Sequence, residues 1–507
     1  MKKNDWLIII ATLAYSYLFY EQYPGINFFL FSVLLILFTF ISKPTLIREP
    51  GWLLVAAGTL CSGFAVFYYS TPPTVIINIG SILLLGGYSF NPQSSTFISF
   101  FNSCFSLATA VPRLAIAVVK PMALTRDNAN AGAKKAVLLM FPATVVIIFF
   151  FLYRQSSPLF ANFTDQLSFS LELPDWILFT AIGLILMFSF FRQTVLKFVS
   201  NLDEKNPNDL AYVSEEEHET GLVATVLSRV NEVFTGVALF ILLNLLLITV
   251  NGVDVYYLYI IQRLPQDLTL SEYLHDGTEA LIFSIILAVG IIIFYFRGRL
   301  NFSDNNKTMR WLTYVWILQN IFLILTTAKR NYFYVSNFGL THKRIGVYIF
   351  LALCVIGLIT TLIKVMQVKS SWYLFRKNAW VWYVTLIVIA LVNWNAMIAG
   401  HNLQLAKTSG KAPDYYYLGN LSYTSTLTLV DFYKEEKDKA DSEAGNARLV
   451  NIMLGNYYSL GAPDKDEGWQ SACYLKNAVR KQIDELIKND KFFQSNMYYS
   501  TVTTTTQ

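Results

Sequence analysis

Eleven apolar runs separated by short turns constrain this chain more than anything else in it. They are Trp6–Tyr20, Ile26–Ile41, Trp52–Tyr69, Val75–Ser89, Val137–Tyr153, Trp176–Phe191, Val233–Val250, Ala280–Phe296, Trp311–Ala328, Ile345–Val365 and Trp380–Val392. About twenty apolar residues in a helix cross the hydrocarbon core of a bilayer, where the backbone must bond to itself. The runs therefore predict an all-α polytopic membrane protein with about eleven transmembrane helices. Several runs fall short of a full span, and their Trp and Tyr flanks extend them into the interface. Turn chemistry agrees: Glu21-Gln22-Tyr23-Pro24-Gly25 and Ser70-Thr71-Pro72-Pro73 make tight helical hairpins. Residues 97–122 are apolar but interrupted by Ser, Asn and Pro112-Arg113. They read as one or two helices at the cytoplasmic interface, with a re-entrant segment as the alternative.

Composition excludes the soluble alternatives. Only 14% of residues are charged, against about 25% in soluble domains. The net charge of +5 over 507 residues gives no support to nucleic-acid binding. Cys61, Cys104, Cys354 and Cys473 share no CxxC spacing, so they predict neither a disulfide framework nor a thiolate metal site. The N-terminal run follows Lys2 and Lys3 but lacks a small-x-small cleavage site, which reads as an uncleaved signal anchor. With the N-terminus inside, the cytoplasmic segments hold 21 Lys and Arg and the outer loops hold 6. Orientation follows that excess. The organisation expected is a transmembrane domain over residues 1–394 and a soluble, mainly helical, extracytoplasmic region over residues 395–507. In that tail Asp431–Tyr458 and Trp469–Lys488 have helical patterning, and Ser500–Gln507 reads as frayed.

Catalytic motifs are missing. The chain has no GxGxxG, Walker loop, HExxH or GxSxG, and its four histidines are far apart. Ser214–Glu219 is acidic and reads as a solvated loop rather than a cation site, and Asp464-Lys465-Asp466 sits in a turn. No cofactor is implied. Polar residues within apolar runs say more, because hydrocarbon offers them no water. Asn244, Gln319 and Asn320 lie mid-run and are expected to face the protein interior and bond a neighbouring helix. Lys364 and Arg192 lie near helix ends, where they can snorkel to the interface. Proton relays use intramembrane charges, so their scarcity argues against an ion-coupled transporter.

The outer segments add two further groups of residues. Ser271 or Asp276 can cap the eighth helix. Arg330–Arg344 is aromatic with basic ends, suited either to anionic lipid at the outer leaflet or to connecting two helices. Here a resemblance enters. Arg330-Asn331-Tyr332-Phe333-Tyr334, then Phe338-Gly339-Leu340-Thr341 and Arg344, resembles the R-x-x-x-Y…Y-G-L-T-x-x-R block of a bacterial polytopic membrane family. That family is a domain of unknown function of the 4153/4173 type. Asn393-Trp394-Asn395-Ala396-Met397-Ile398-Ala399-Gly400-His401-Asn402-Leu403 is similar to its N-P-D-A-x-I-A-x-x-N-L block. Asn244 and the Glu272–Gly277 segment, with Tyr273 and His275, match in order, as do Asp414–Leu418 and Gly468-Trp469-Gln470-Ser471. The resemblance covers Val137 to Leu486 and departs at Phe338, Trp394-Asn395 and His275. It implies the fold and brings no activity.

The expected protein is a non-enzymatic sensor, scaffold or regulatory partner of the bacterial inner membrane, with the lipid bilayer and a protein at its tail as partners. A transporter or channel for a small solute is the first alternative, and a membrane-embedded transferase the second. The polar positions expected to matter are Asn244, Tyr273, His275, Gln319, Asn320, Arg330, Tyr334, Arg344, Asn393, Asn395 and Asn402. The tail has few continuous apolar runs and would form only a small core alone. It is therefore expected to dock on the outer loops Gln155–Asp175, Asn251–Glu279 and Lys329–His342.

Overall fold

Hydrophobic runs of this length leave the backbone one economical arrangement, and the chain adopts it. The computed structural model describes residues 3–123, 146, 149–150, 152–166, 174–210, 229–261, 278–297, 301–302, 306–437, 443–461 and 468–504. Among these residues the secondary structure is helical, apart from an isolated bridge between Asp209 and Lys369. Six helices are long and apolar enough to cross a membrane: Pro50–Tyr69, Pro72–Phe90, Val233–Ile260, Lys307–Phe338, His342–Met366 and Ser371–Leu391. The pair Thr96–Ala108 and Ala110–Ala117, bent by 61°, makes a seventh if it counts as one span. Ile26–Ser42, Asp175–Phe191 and Phe283–Tyr295 are shorter apolar helices. The run Val137–Tyr153 lies mostly outside the described residues.

These helices are apolar on the outside, as a lipid solvent requires. On Arg229–Val255, Leu242, Leu245, Leu246 and Ile248 are all more than half exposed, while Asn244 among them is buried. The polar side chain faces protein and the leucines face outward. That inversion supports a multi-pass membrane protein.

The chain divides into two compact units, and the tail contributes to both. The first holds Met1–Glu204, Ile387–Leu391 and Pro463–Asn477. Its helices begin on prolines where the missing N–H costs nothing: Pro50 starts one and Pro72 another, the latter behind a Thr71/Thr74 capping box. Asn78, fully buried, donates to Ser32 Oγ, Thr59 O and Ser62 Oγ, joining three helices through one amide. The segment Gly468–Tyr474 is seated on the first hairpin. Gln22 Oε1 accepts from the Gly468 N–H at 3.0 Å and from Ser471 Oγ at 2.9 Å, and the Ile26 N–H reaches Ala472 O at 2.9 Å. Gly25 permits this approach, because a Cβ there would lie 2.6 Å from the Ser471 carbonyl.

The second unit holds Lys205–Leu386, Val392–Ala462 and Ala478–Gln507. Two apolar cores lie within it. One joins Phe240, Ile292, Met309, Trp316, Ile317 and Leu358 among the long helices. The other gathers the tail helices Trp394–Ser409, Thr426–Glu436, Glu443–Ser459 and Tyr474–Asn489 around Tyr433, Met453 and Phe493, and it includes Val335, Leu340 and Ile345. The expected docking on Lys329–His342 is thus present. The seat on the first hairpin was not anticipated.

Three expectations need correction. Arg330–Phe338, read as an outer segment, continues the Lys307–Phe338 helix, because nothing before Gly339 interrupts its backbone bonding. Ser500–Thr504, read as frayed, ends the helix Lys491–Thr504. Lys364 does not snorkel. It is 1% exposed and its Nζ donates to Phe296 O at 2.8 Å, just past the C-terminus of Thr278–Tyr295, where the helix dipole is negative.

Candidate functional site

The helices Arg229–Val255 and Lys307–Phe338 run parallel and meet along a polar seam. Asn244 Nδ2 donates to Leu312 O at 3.0 Å, and seven residues on, Asn251 Nδ2 donates to Gln319 O at 3.2 Å. Partners that advance by seven on both strands keep register in the manner of a coiled coil. Asn244 Nδ2 also bonds its own Phe240 O, so its Oδ1 faces Gln319 and accepts from Nε2 at 2.6 Å. The seam continues upward to Asp254, whose carboxylate accepts from Thr326 Oγ1 at 3.0 Å and pairs with the Arg330 guanidinium. Leu312, Gln319 and Thr326 are again seven apart. Asn320 is buried as expected but donates back to Trp316 O on its own helix.

Sequence reasoning missed Asp254, Asn251 and Thr326. Asp254 lay past the end assigned to its apolar run, yet the helix continues through Val255 into a π-helical stretch, Tyr256–Ile261. The signal was available: Asn244, Asn251 and Asp254 follow the a, a, d positions of a heptad.

Above the seam the long helix stops at Gly339, with φ +79°, and Thr341 caps the next helix, His342–Met366. Arg344 holds this corner: its guanidinium donates to Phe338 O at 2.9 Å and to Gly339 O, and lies 4.0 Å from the Tyr334 ring centre. Asn331 Nδ2 donates to Arg344 O at 3.1 Å. The tail closes over the same turn. Asn402 accepts from the Leu340 N–H at 2.6 Å and donates to Leu340 O at 3.0 Å, imitating a strand neighbour with one side chain. A Cβ on Gly339 would sit 2.7 Å from Asn402 Oδ1, so both φ and space demand glycine. Tyr417 Oη accepts from the His342 N–H at 3.1 Å.

Asn393 and Asn395 position the helix that carries Asn402. Asn393 caps Trp394–Ser409 by accepting from the Ala396 N–H and donates to Thr424 O at 2.8 Å. Asn395 donates to Thr424 Oγ1 at 2.8 Å. At the far end of the tail, burial raises the Asp490 carboxyl. The Phe493 N–H, the Tyr433 hydroxyl and Lys437 outweigh it and hold the group below its ordinary range. Tyr273 and His275, like Ser271 and Asp276, lie outside the described residues. The structure thus brings Arg330 into the seam, and Tyr334, Arg344 and Asn402 into the corner. Asn393 and Asn395 stand at the N-terminus of the helix that carries Asn402 into that corner. None of the four cysteines is in a disulfide, and Cys473 is buried with its Sγ 3.4 Å from Tyr68 O.

No curated protein and no solved structure matches the chain. A family model does, described as a domain of unknown function, over residues 7–432. The match starts far ahead of the Val137 at which the motif resemblance began. It takes in the N-terminal helices, the seam and the Asn402 corner. The chain belongs to that family, Domain of unknown function (DUF4153).

Proposed function

We propose that this protein is a non-enzymatic scaffold or sensor of the bacterial inner membrane, one that couples its tail to its membrane helices. In this reading the chain crosses the bilayer eleven times. Its N-terminus is cytoplasmic and residues 97–122 lie at the cytoplasmic interface. The tail lies outside the cytoplasm, where it meets a protein partner. The observation that supports the role is how the motif residues are used. Arg344 donates to Gly339 O within the turn, and the Asn402 side chain bonds the Leu340 N–H and O across 62 residues of sequence, fixing the tail to the turn between two long helices. Residues arranged to react would leave their polar atoms aimed at a common space, whereas these are engaged in holding two elements together.

A transporter or channel for a small solute is the second reading, and the seam favours it. Asn251 Oδ1 and Gln319 Oε1 are buried without partners, and their orientation is fixed because their amide nitrogens face acceptors. Flux through reconstituted vesicles separates the two readings. A scaffold leaves vesicles as tight as lipid alone to small cations, sugars and amino acids. Saturable flux abolished by Asn251→Leu establishes the transporter instead. Reporter fusions test the topology: a reporter active only outside the cytoplasm gives a signal when fused after Gln507 and none when fused within residues 201–228.

A further inference from the structure

A hydroxyl inside a helix ordinarily turns back onto the carbonyl four residues earlier. In the first unit Thr12, Ser32, Thr59 and Ser89 all do so, at 2.6–2.8 Å. Ser99 and Ser103, on Thr96–Ala108, do not. They are 1% and 0% exposed, and their hydroxyls hold no partner. Ser99 lines a cleft with Gly87, Ser94, Asn102, Gln193 and Thr194. Ser94 Oγ and Gln193 Oε1 are likewise buried and unpartnered, and so is Ser95 Oγ next in sequence. Ser103 Oγ abuts the Gly87 wall, where a Cβ would come within 2.8 Å of it. The cavity volume is about 10 Å³, room for one water-sized guest.

Chemistry narrows the guest. An amide oxygen only accepts, so Gln193 Oε1 calls for a donor or a cation and rejects a bare anion. The volume rejects any organic ligand. Water and a dehydrated monovalent ion remain. A water makes two to four hydrogen bonds, while the cleft residues Ser94, Ser99 and Gln193 carry three unpartnered oxygens, Ser103 Oγ adds a fourth beside Gly87, and Asn102 and Thr194 complete a lining rich in oxygen. Hard oxygen-only ligand sets suit alkali and alkaline-earth cations. The fixed charges nearly cancel. Asp203, 7% exposed, accepts from the Ser95 N–H at the start of this helix, and Arg113 donates to Thr194 Oγ1 and Ser106.

We propose that this cleft is a site for one sodium-sized monovalent cation, held by the hydroxyl oxygens of Ser94, Ser99 and Ser103 and by Gln193 Oε1. The test uses the full chain in nanodiscs, melted at constant ionic strength while sodium chloride replaces choline chloride. The melting temperature should rise saturably with sodium, and Ser99→Ala and Gln193→Leu should each weaken the apparent affinity at least tenfold. Ser156→Ala, outside the cleft, should leave it unchanged. Should Ser99→Ala fail to fold, Ser94→Ala carries the same prediction. Equal melting in sodium and choline would show that the cleft holds only water. A sodium effect that survives both cleft variants would place the ion elsewhere. Either result overturns the proposal.

Discussion

The helices of the first unit gather around one amide among hydroxyls and small residues, whereas those of the second meet along a ladder of amides that ends in a buried ion pair. Asn78 gathers Ser32, Thr59 and Ser62, and Gly63 lets its helix come within 3.2 Å of the Phe29 backbone, measured from an added Cβ. In the second unit Asn244, Gln319, Asn251, Asp254 and Arg330 form a ladder of longer side chains. Without a hydrophobic drive between helices in lipid, close packing and interhelical hydrogen bonds do the joining. Close packing suits a pair that stays put. A ladder of long polar groups spaced seven residues apart holds the register of the pair. The comparison therefore teaches that the unit bearing the Arg330–Arg344 block is also the one whose helices are joined by a ladder of long polar side chains.

The sharpest way to break the comparison is to remove one charge. Asp254→Asn should destabilise the second unit by about 3–5 kcal/mol, the cost of breaking a buried pair on one side, read as a fall in melting temperature in detergent. An unchanged melting temperature would mean the pair is solvated and the ladder ends at Asn251. Gly339→Ala should come next, at about 2–3 kcal/mol, because it strains a backbone region that favours glycine and collides with Asn402. Removing the obstacle as well, in Gly339→Ala with Asn402→Ala, should give less than the sum of the single losses. Full additivity would show that the two residues do not meet.

Much of the fold was legible in the sequence because lipid imposes a strong rule on apolar runs, and ten of the eleven runs coincide with described helices. Helix ends were less legible. Tyr, Arg and Asp near Asp254 and Arg330 look like a wet loop one residue at a time, and only pairing across helices lets them stay helical. The corner was readable in parts: Gly339, Arg344 and Asn402 stood out as motif members, but nothing local indicates that Asn402 reaches Leu340. The Gln22–Ser471 seat was unreadable for the same reason, since it joins positions 449 residues apart.

Smaller effects sharpen the contrast. Asn244→Leu should cost about 1 kcal/mol without making vesicles leak, since a structural amide is worth little once both helices are packed. A loss several times larger, or a leak, would give the seam a solute path. Asp490 yields the mildest test. Its folded pKa is depressed, so its contribution is present above the ordinary carboxylate pKa and is lost as pH falls through the lowered value. Acid melting of the tail should therefore lose part of its pH dependence in Asp490→Asn. A variant that titrates like the wild type would assign that dependence to other carboxylates.

The central claim is that the tail and the membrane helices are one mechanical element joined at Leu340. Amide hydrogen exchange of the full chain in nanodiscs, wild type against Asn402→Ala, tests it most directly. The account predicts faster exchange at Leu340–Ile345 together with faster exchange across Thr426–Glu436, two regions that share a core but no backbone bonds. Faster exchange confined to Leu340, with Thr426–Glu436 unchanged, would contradict it and leave the tail an independent domain that merely rests on the turn.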